Sequence, residues 1–340
     1  MTQTATVIDI GGTHMRWAKW SADKGVGTRK SITTPSFHQH PDMSVQQLQQ
    51  RLVKTITEIP ACDQDKTVGI SFGAAMNHRN ATVYASAPLW GAHNVPFDLQ
   101  SELIRLRPDV KWHVVNDVTA ALLHVITTPL CAQDRKVMLV TISTGIAART
   151  IDRTTRHIPF DSCGLQGEIG HLPATTNLDG EAVHLLCDCG ELNHLSSFSS
   201  GRGIARMADL FKVRQPQQWA GSMLGRTIEE GNNFEQAFIK ALHTNDPVAK
   251  ALLRAVTLPV ADVLRTALCL DPDLDKIVIT GGVAVSLGEH YRSAILEHLR
   301  TAGLYLTSHL DFDWIATRIV VAPADCLAGA GVAATFGAWQ

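Results

Sequence analysis

Thr6-Val7-Ile8-Asp9-Ile10-Gly11-Gly12-Thr13-His14-Met15-Arg16-Trp17-Ala18-Lys19-Trp20 reads as a buried strand, a glycine turn and a returning strand. The run 6–10 is short, apolar and β-branched, Gly11-Gly12 supplies the turn, and 14–20 completes a hairpin. A glycine turn after a buried strand gathers backbone N–H groups into a concave nest suited to phosphate oxygens. Asp9 adds a carboxylate able to hold Mg²⁺ directly or through water, and Thr13 adds a hydroxyl donor. On turn chemistry alone, a Gly-Gly pair is more often just a tight turn. The pattern, however, occurs three times. A second apolar strand ends in Ser143-Thr144-Gly145, with two hydroxyls beside a glycine. A third ends in Gly281-Gly282, whose lack of side chains suits close packing of a flat base or ribose. None of the three fits the P-loop or the dinucleotide fingerprint.

Around these turns, strands and helices alternate through both halves, which predicts α/β layers. Strands are expected at 68–72, 112–115, 137–142, 146–151, 277–279 and 319–321. Helices are expected at 44–59, 96–106, 118–126, 286–299 and 326–338, with a further one capped by Asp246, opened by Pro247 and running to about Leu270. Residues 152–200 are irregular, and a loop region this long in a compact chain is usually functional or held by something local.

The 340 residues suit about two domains, and with 45% hydrophobic and 18% charged residues they can bury a good core. A net charge of −2 gives no basic surface for a nucleic-acid backbone. No apolar stretch approaches the roughly 18 residues of a membrane span, and no secretory signal is visible. Seven cysteines do not suggest a disulfide framework in a chain this long, so a cytoplasmic protein with mostly reduced thiols is expected. Only Cys187 and Cys189 cluster, and a Cys-x-Cys pair of reduced thiols is a metal candidate.

Asp117 follows the expected strand 112–115 and should stand at its carboxyl end, where α/β sites form. It could serve as a general base, or as the N-cap of the next helix. Asn116 beside it can hydrogen-bond a hydroxyl.

The ordered set of motifs resembles the ROK family (repressors, open reading frames, kinases) of the sugar kinase, Hsp70 and actin superfamily. Asp9-Ile10-Gly11-Gly12-Thr13 with Arg16 resembles its first phosphate motif, Ser143-Thr144-Gly145 the second, and Ile279-Thr280-Gly281-Gly282 the adenosine motif. Asn116-Asp117-Val118-Thr119-Ala120-Ala121 resembles its catalytic segment, and Glu168-Ile169-Gly170-His171 its sugar motif. Cys187-Asp188-Cys189-Gly190 begins its zinc motif, and Ser200-Gly201-Arg202-Gly203-Ile204 resembles the segment that follows.

The resemblance implies a two-lobed actin-like ATPase (ribonuclease H-like) α/β fold with a cleft. The small lobe would take 1–117 and regain the terminal helix 326–340; the large lobe would take 118–325, with a zinc loop at 165–200. It implies an ATP- and Mg²⁺-dependent kinase acting on a hydroxyl, expected to be primary, of a small sugar-like molecule. Asp117 would be the base; Asn116, Glu168 and His171 would bind the acceptor. A homodimer is suggested by the family alone. Family repressors carry a DNA-binding segment before the first phosphate motif, which here starts at Asp9, so a regulator is not expected.

Two positions depart from the family pattern. The third zinc cysteine is replaced by His194, leaving His171, Cys187, Cys189 and His194 as the expected zinc ligands, with His184 as a competitor. The glutamate that would clamp the sugar's anomeric side is replaced by Ser196. That loss points to a modified hexose or a cyclitol, with glucose and N-acetylmannosamine as alternative acceptors.

Overall fold

The computed structural model describes residues 3–59, 66–160, 167–311 and 313–336. Among them the chain packs as two compact units, one holding the residues up to 135 with 149–160 and 324–336, the other 136–148 and 167–323.

The first unit is built on a sheet whose described strands run Gly25–Val26, His14–Ser21, Thr4–Ile10, Thr67–Phe72 and Lys111–Asn116, with Lys30–Thr33 also paired to His14–Ser21. The opening hairpin is antiparallel and sets Asp9 opposite Arg16. The next two strands join in parallel, with Ile10 beside Phe72 and Phe72 beside Asn116. This register brings the ends of three strands to one edge, so Gly11, Gly73 and Asp117 all begin their turns there. Helix Val45–Thr57 covers the sheet through Leu48, Leu52 and Ile56, each fully buried. Burying such a side chain contributes about 1.5–3 kcal/mol.

The terminal helix Cys326–Thr335 packs against helix Asp117–Val125. Small residues make this possible, because a Cβ added at Gly329 would lie 1.7 Å from the Ala120 carbonyl oxygen. This contact explains why the first unit extends past the expected 117 to 135: the helix after Asp117 is clamped by the chain's own end.

The second unit carries the parallel strands Lys136–Ile142, Lys276–Thr280 and Ile319–Val321, with residues 146–148 opening a further strand beside Lys136–Ile142. Its helix Pro247–Leu270 starts where expected, with Asp246 accepting from the Ala249 amide at 2.8 Å. No helix among the described residues is long and apolar enough to cross a membrane.

Three boundaries differ from expectation. The expected helix 96–106 is split: Phe97–Asp98 pairs with Thr82–Ala85, and the helix begins at Leu99 with Asp98 accepting from the Ser101 amide at 3.0 Å. The helix expected from 286 starts at Gly282 and runs to Ala302, bending at Gly288 where φ is 52°. Asp117 is not the cap of its helix. Asn116 is, and Asp117 occupies the first helical position. Residues 165 and 166 of the expected zinc loop, and 337–340 of the expected terminal helix, lie outside the described residues.

Candidate active site

The first unit places Asp9 and Asp117 at neighbouring strand ends. Asp9 is 5% exposed; its carboxylate accepts from Arg16 at 2.6 Å and from Ser71 Oγ at 2.9 Å, both partners dictated by strand register. Each carboxylate oxygen keeps a further lone pair for a cation or a metal-bound water. The Gly11-Gly12 turn is fixed by the Gly11 amide donating to the His14 carbonyl at 3.1 Å and by Thr34 Oγ1 donating to the Gly11 carbonyl at 2.8 Å. Thr13 is exposed at its rim.

Asn116 is 5% exposed and spends most of its amide on structure. Its oxygen accepts from the Val118 amide at 2.9 Å, and its nitrogen donates to the Ala74 carbonyl at 3.0 Å. One N–H is left for a ligand. By capping the helix, Asn116 frees the Asp117 carboxyl for chemistry. Burial pushes that carboxyl up to about 6; the Asp9 charge adds to the rise, while the Val118 amide and the Arg149 charge oppose it. A carboxylate near 6 is ionised at neutral pH and basic enough to take a proton from an alcohol as its oxygen attacks.

In the second unit, Thr141 and Thr280 are register partners on parallel strands, so the 143–145 and 281–282 turns lie side by side at one sheet edge. Gly281 has φ of 94°, and a Cβ there would lie 2.4 Å from the Ile142 carbonyl oxygen, so only glycine fits. The Thr144-Gly145 tip is exposed, and the Gly201 amide holds the turn by donating to the Ser143 carbonyl at 2.8 Å. Beside Gly282 opens a cavity of about 250 Å³ lined by Ile204, Phe234, Phe238, Val283 and Leu287, with Asn233 and Glu235 at its polar margin. An apolar slot of that kind accepts a flat aromatic base. Sequence reading missed its walls. Phe234 and Phe238 show only helical periodicity, which does not tell a slot from a core.

Glu168 precedes a short 3₁₀ turn, Ile169–His171, and His171 ends it. His171, Cys187, Cys189 and His194 bring their ligand atoms within 4.8 Å of one another, and Cys189 Sγ lies 3.2 Å from His194 Nδ1. Bonds of about 2.0–2.3 Å to a tetrahedral zinc put ligand atoms roughly 3.3–3.8 Å apart, so this two-Cys, two-His set fits the ion with little movement. His184 is not in the group; its Nδ1 lies 3.0 Å from Asn193 Nδ2. Ser196 stands against the 168–171 turn, so close that a Cβ added at Gly170 would lie 2.3 Å from Ser196 Oγ.

Two α/β units, each with glycine turns at its strand ends, define the actin-like ATPase class. A solved ROK family glucokinase from Streptomyces griseus, in complex with glucose and AMPPNP, shares this fold, with a TM-score of 0.70 over 99% of this chain and 100% of that one at 21% identity. The chain belongs to the ROK family, whose pattern matches residues 5–309. It is 52% identical to the 2-epi-5-epi-valiolone 7-kinase of an Actinoplanes species, over 97% of this chain and 92% of that protein. It is 28% identical to a C(7)-cyclitol 7-kinase of Streptomyces hygroscopicus subsp. jinggangensis, over 98% and 94%.

Proposed function

We propose that the chain transfers the terminal phosphoryl group of ATP, bound with Mg²⁺, to a primary hydroxyl of a seven-carbon cyclitol. The observation that carries the transfer step is Asp117, a carboxyl raised to about 6 by burial at the carboxyl end of its strand. It accepts the acceptor's hydroxyl proton as the new O–P bond forms and the bond to ADP breaks. Asp9 and Thr13, with Thr144 and Gly145, hold metal and phosphates, and the slot beside Gly281-Gly282 takes the base. Asn116, Glu168 and His171 bind the acceptor's ring hydroxyls. The reading also places the chain in the cytoplasm, where ATP is available and thiolates stay reduced.

Ser196 supports the acceptor, together with kinship to kinases named for cyclitols. Serine is too short and neutral to clamp an anomeric hydroxyl, and a carbocyclic ring has none to clamp. Installing the carboxylate, Ser196→Glu, should raise kcat/KM for glucose relative to a hydroxymethyl cyclitol by about ten- to a hundredfold, the size of one charge-assisted hydrogen bond. An unchanged ratio would remove position 196 from acceptor choice.

Zinc in the 171–194 group would close the loop and hold His171 toward the acceptor; a structural ion of this kind supplies folding energy rather than chemistry. Purified protein should contain about one zinc per chain. His194→Ala should lose it and His184→Ala should keep it. Metal-free wild type with full activity would dismiss the ion.

A further inference from the structure

Asp188 stands between the two cysteines of the metal group, and neither metal nor acceptor accounts for it. Its carboxylate pairs with Arg202 at 3.0 Å and with Arg206. Arg206 also donates to the Leu186 carbonyl at 3.0 Å. The cysteine loop is thereby fastened on both sides of Cys187 to helix Gly201–Arg214. The first turn of that helix is itself fixed. Ser200 Oγ accepts from the Gly203 amide at 3.2 Å and donates to the Ser196 carbonyl at 2.7 Å. One residue on, the Gly201 amide donates to the Ser143 carbonyl at 2.8 Å. An unbroken path of contacts therefore runs from Cys187 and Cys189 through Asp188, the two arginines and the helix start to the Ser143-Thr144-Gly145 turn. A cavity of about 160 Å³ has both ends of that path in its wall, Thr144 and Gly145 on one side and Asp188, Arg202 and Arg206 on the other.

We propose that Asp188 is a positioning residue for the nucleotide: it braces the metal loop against helix Gly201–Arg214, so that the metal loop helps set the phosphate-binding turn as well as the acceptor side. This rests on the assignment of 143–145 to phosphate and of the 171–194 group to zinc. The path consists of half-exposed ion pairs, each modest in water. Its value is geometric, since two arginines one turn apart hold a single carboxylate and fix the rotation of the helix whose first amide grips the turn.

The test is calorimetric titration of Asp188→Asn with Mg²⁺-AMPPNP, beside zinc analysis and KM for the acceptor. Affinity for AMPPNP should weaken about fivefold, with zinc retained and acceptor KM moved less than about twofold, the scale of a paired surface carboxylate. If Arg202 and Arg206 instead served phosphate directly, freeing them from Asp188 would tighten AMPPNP binding, and that result overturns the proposal. Should Asp188→Asn lose zinc, Arg206→Gln leaves every ligand and its neighbours in place and carries the same expectation. Zinc-replete variants with wild-type AMPPNP affinity overturn the brace alone. Wild type without zinc overturns the metal assignment and the brace with it, and wild type that does not bind AMPPNP overturns the kinase reading.

Discussion

Asp117→Asn is expected to lower kcat/KM for phosphoryl transfer by at least ~10²-fold, the usual size of a general-base effect, while leaving nucleotide and acceptor affinity near wild type. The amide is nearly isosteric with the carboxyl and can still accept from the Val118 amide, as the carboxylate does at 2.9 Å. The helix start is not at risk, because the cap belongs to Asn116. What is lost is the capacity to take a proton. The same group fixes the pH profile. Its value of about 6 lies above the ordinary carboxyl range, so the charged, active form dominates above pH 6 and declines tenfold per unit below it. Wild-type kcat/KM should therefore rise through about pH 6 to a plateau, and the residual activity of the asparagine variant should lack that rise. A variant within threefold of wild type would remove Asp117 from the mechanism.

Gly329→Ala is expected to destabilise the first unit by roughly 3 kcal/mol, the upper end of ordinary overpacking costs. The added methyl would sit 1.7 Å from the Ala120 carbonyl oxygen, which is backbone and cannot rotate away. The two helices must separate, and the one that yields begins at Asp117. Thermal unfolding should show a midpoint lowered by roughly 6–12 °C. Gly221→Ala is the control, since a Cβ there meets nothing within 4 Å and the midpoint should hardly move. Equal midpoints for the two variants would show that the helix contact is looser than described.

The strand-then-glycine pattern was legible at all three turns because a buried strand and a glycine turn each leave a local signature. Helix Pro247–Leu270 was legible for the same reason, through Asp246 and Pro247. What escaped depends on contacts far apart in sequence. Asp98 looked like part of a helix because pairing of Phe97–Asp98 with Thr82–Ala85 has no local sign. Asn116 and Asp117 are both good caps, and only the strand's end point decides between them. The resemblance implied His171, Cys187, Cys189 and His194 as ligands with His184 as a rival; the folded loop turns His184 toward Asn193. Arg202 and Arg206 gave no signal, since charges one turn apart usually mark a solvated face. Ser71, which holds Asp9, was invisible because its partner is 62 residues away.

The most direct test of the kinase reading is ADP formation by the purified protein with ATP and Mg²⁺ on three acceptors side by side: a hydroxymethyl cyclitol, glucose and N-acetylmannosamine. The account predicts that the cyclitol has the highest kcat/KM, about ten- to a hundredfold above glucose, with the phosphate on its primary hydroxyl. A clear preference for glucose would contradict the role given to Ser196, and no ADP above background on any of the three would contradict the account as a whole.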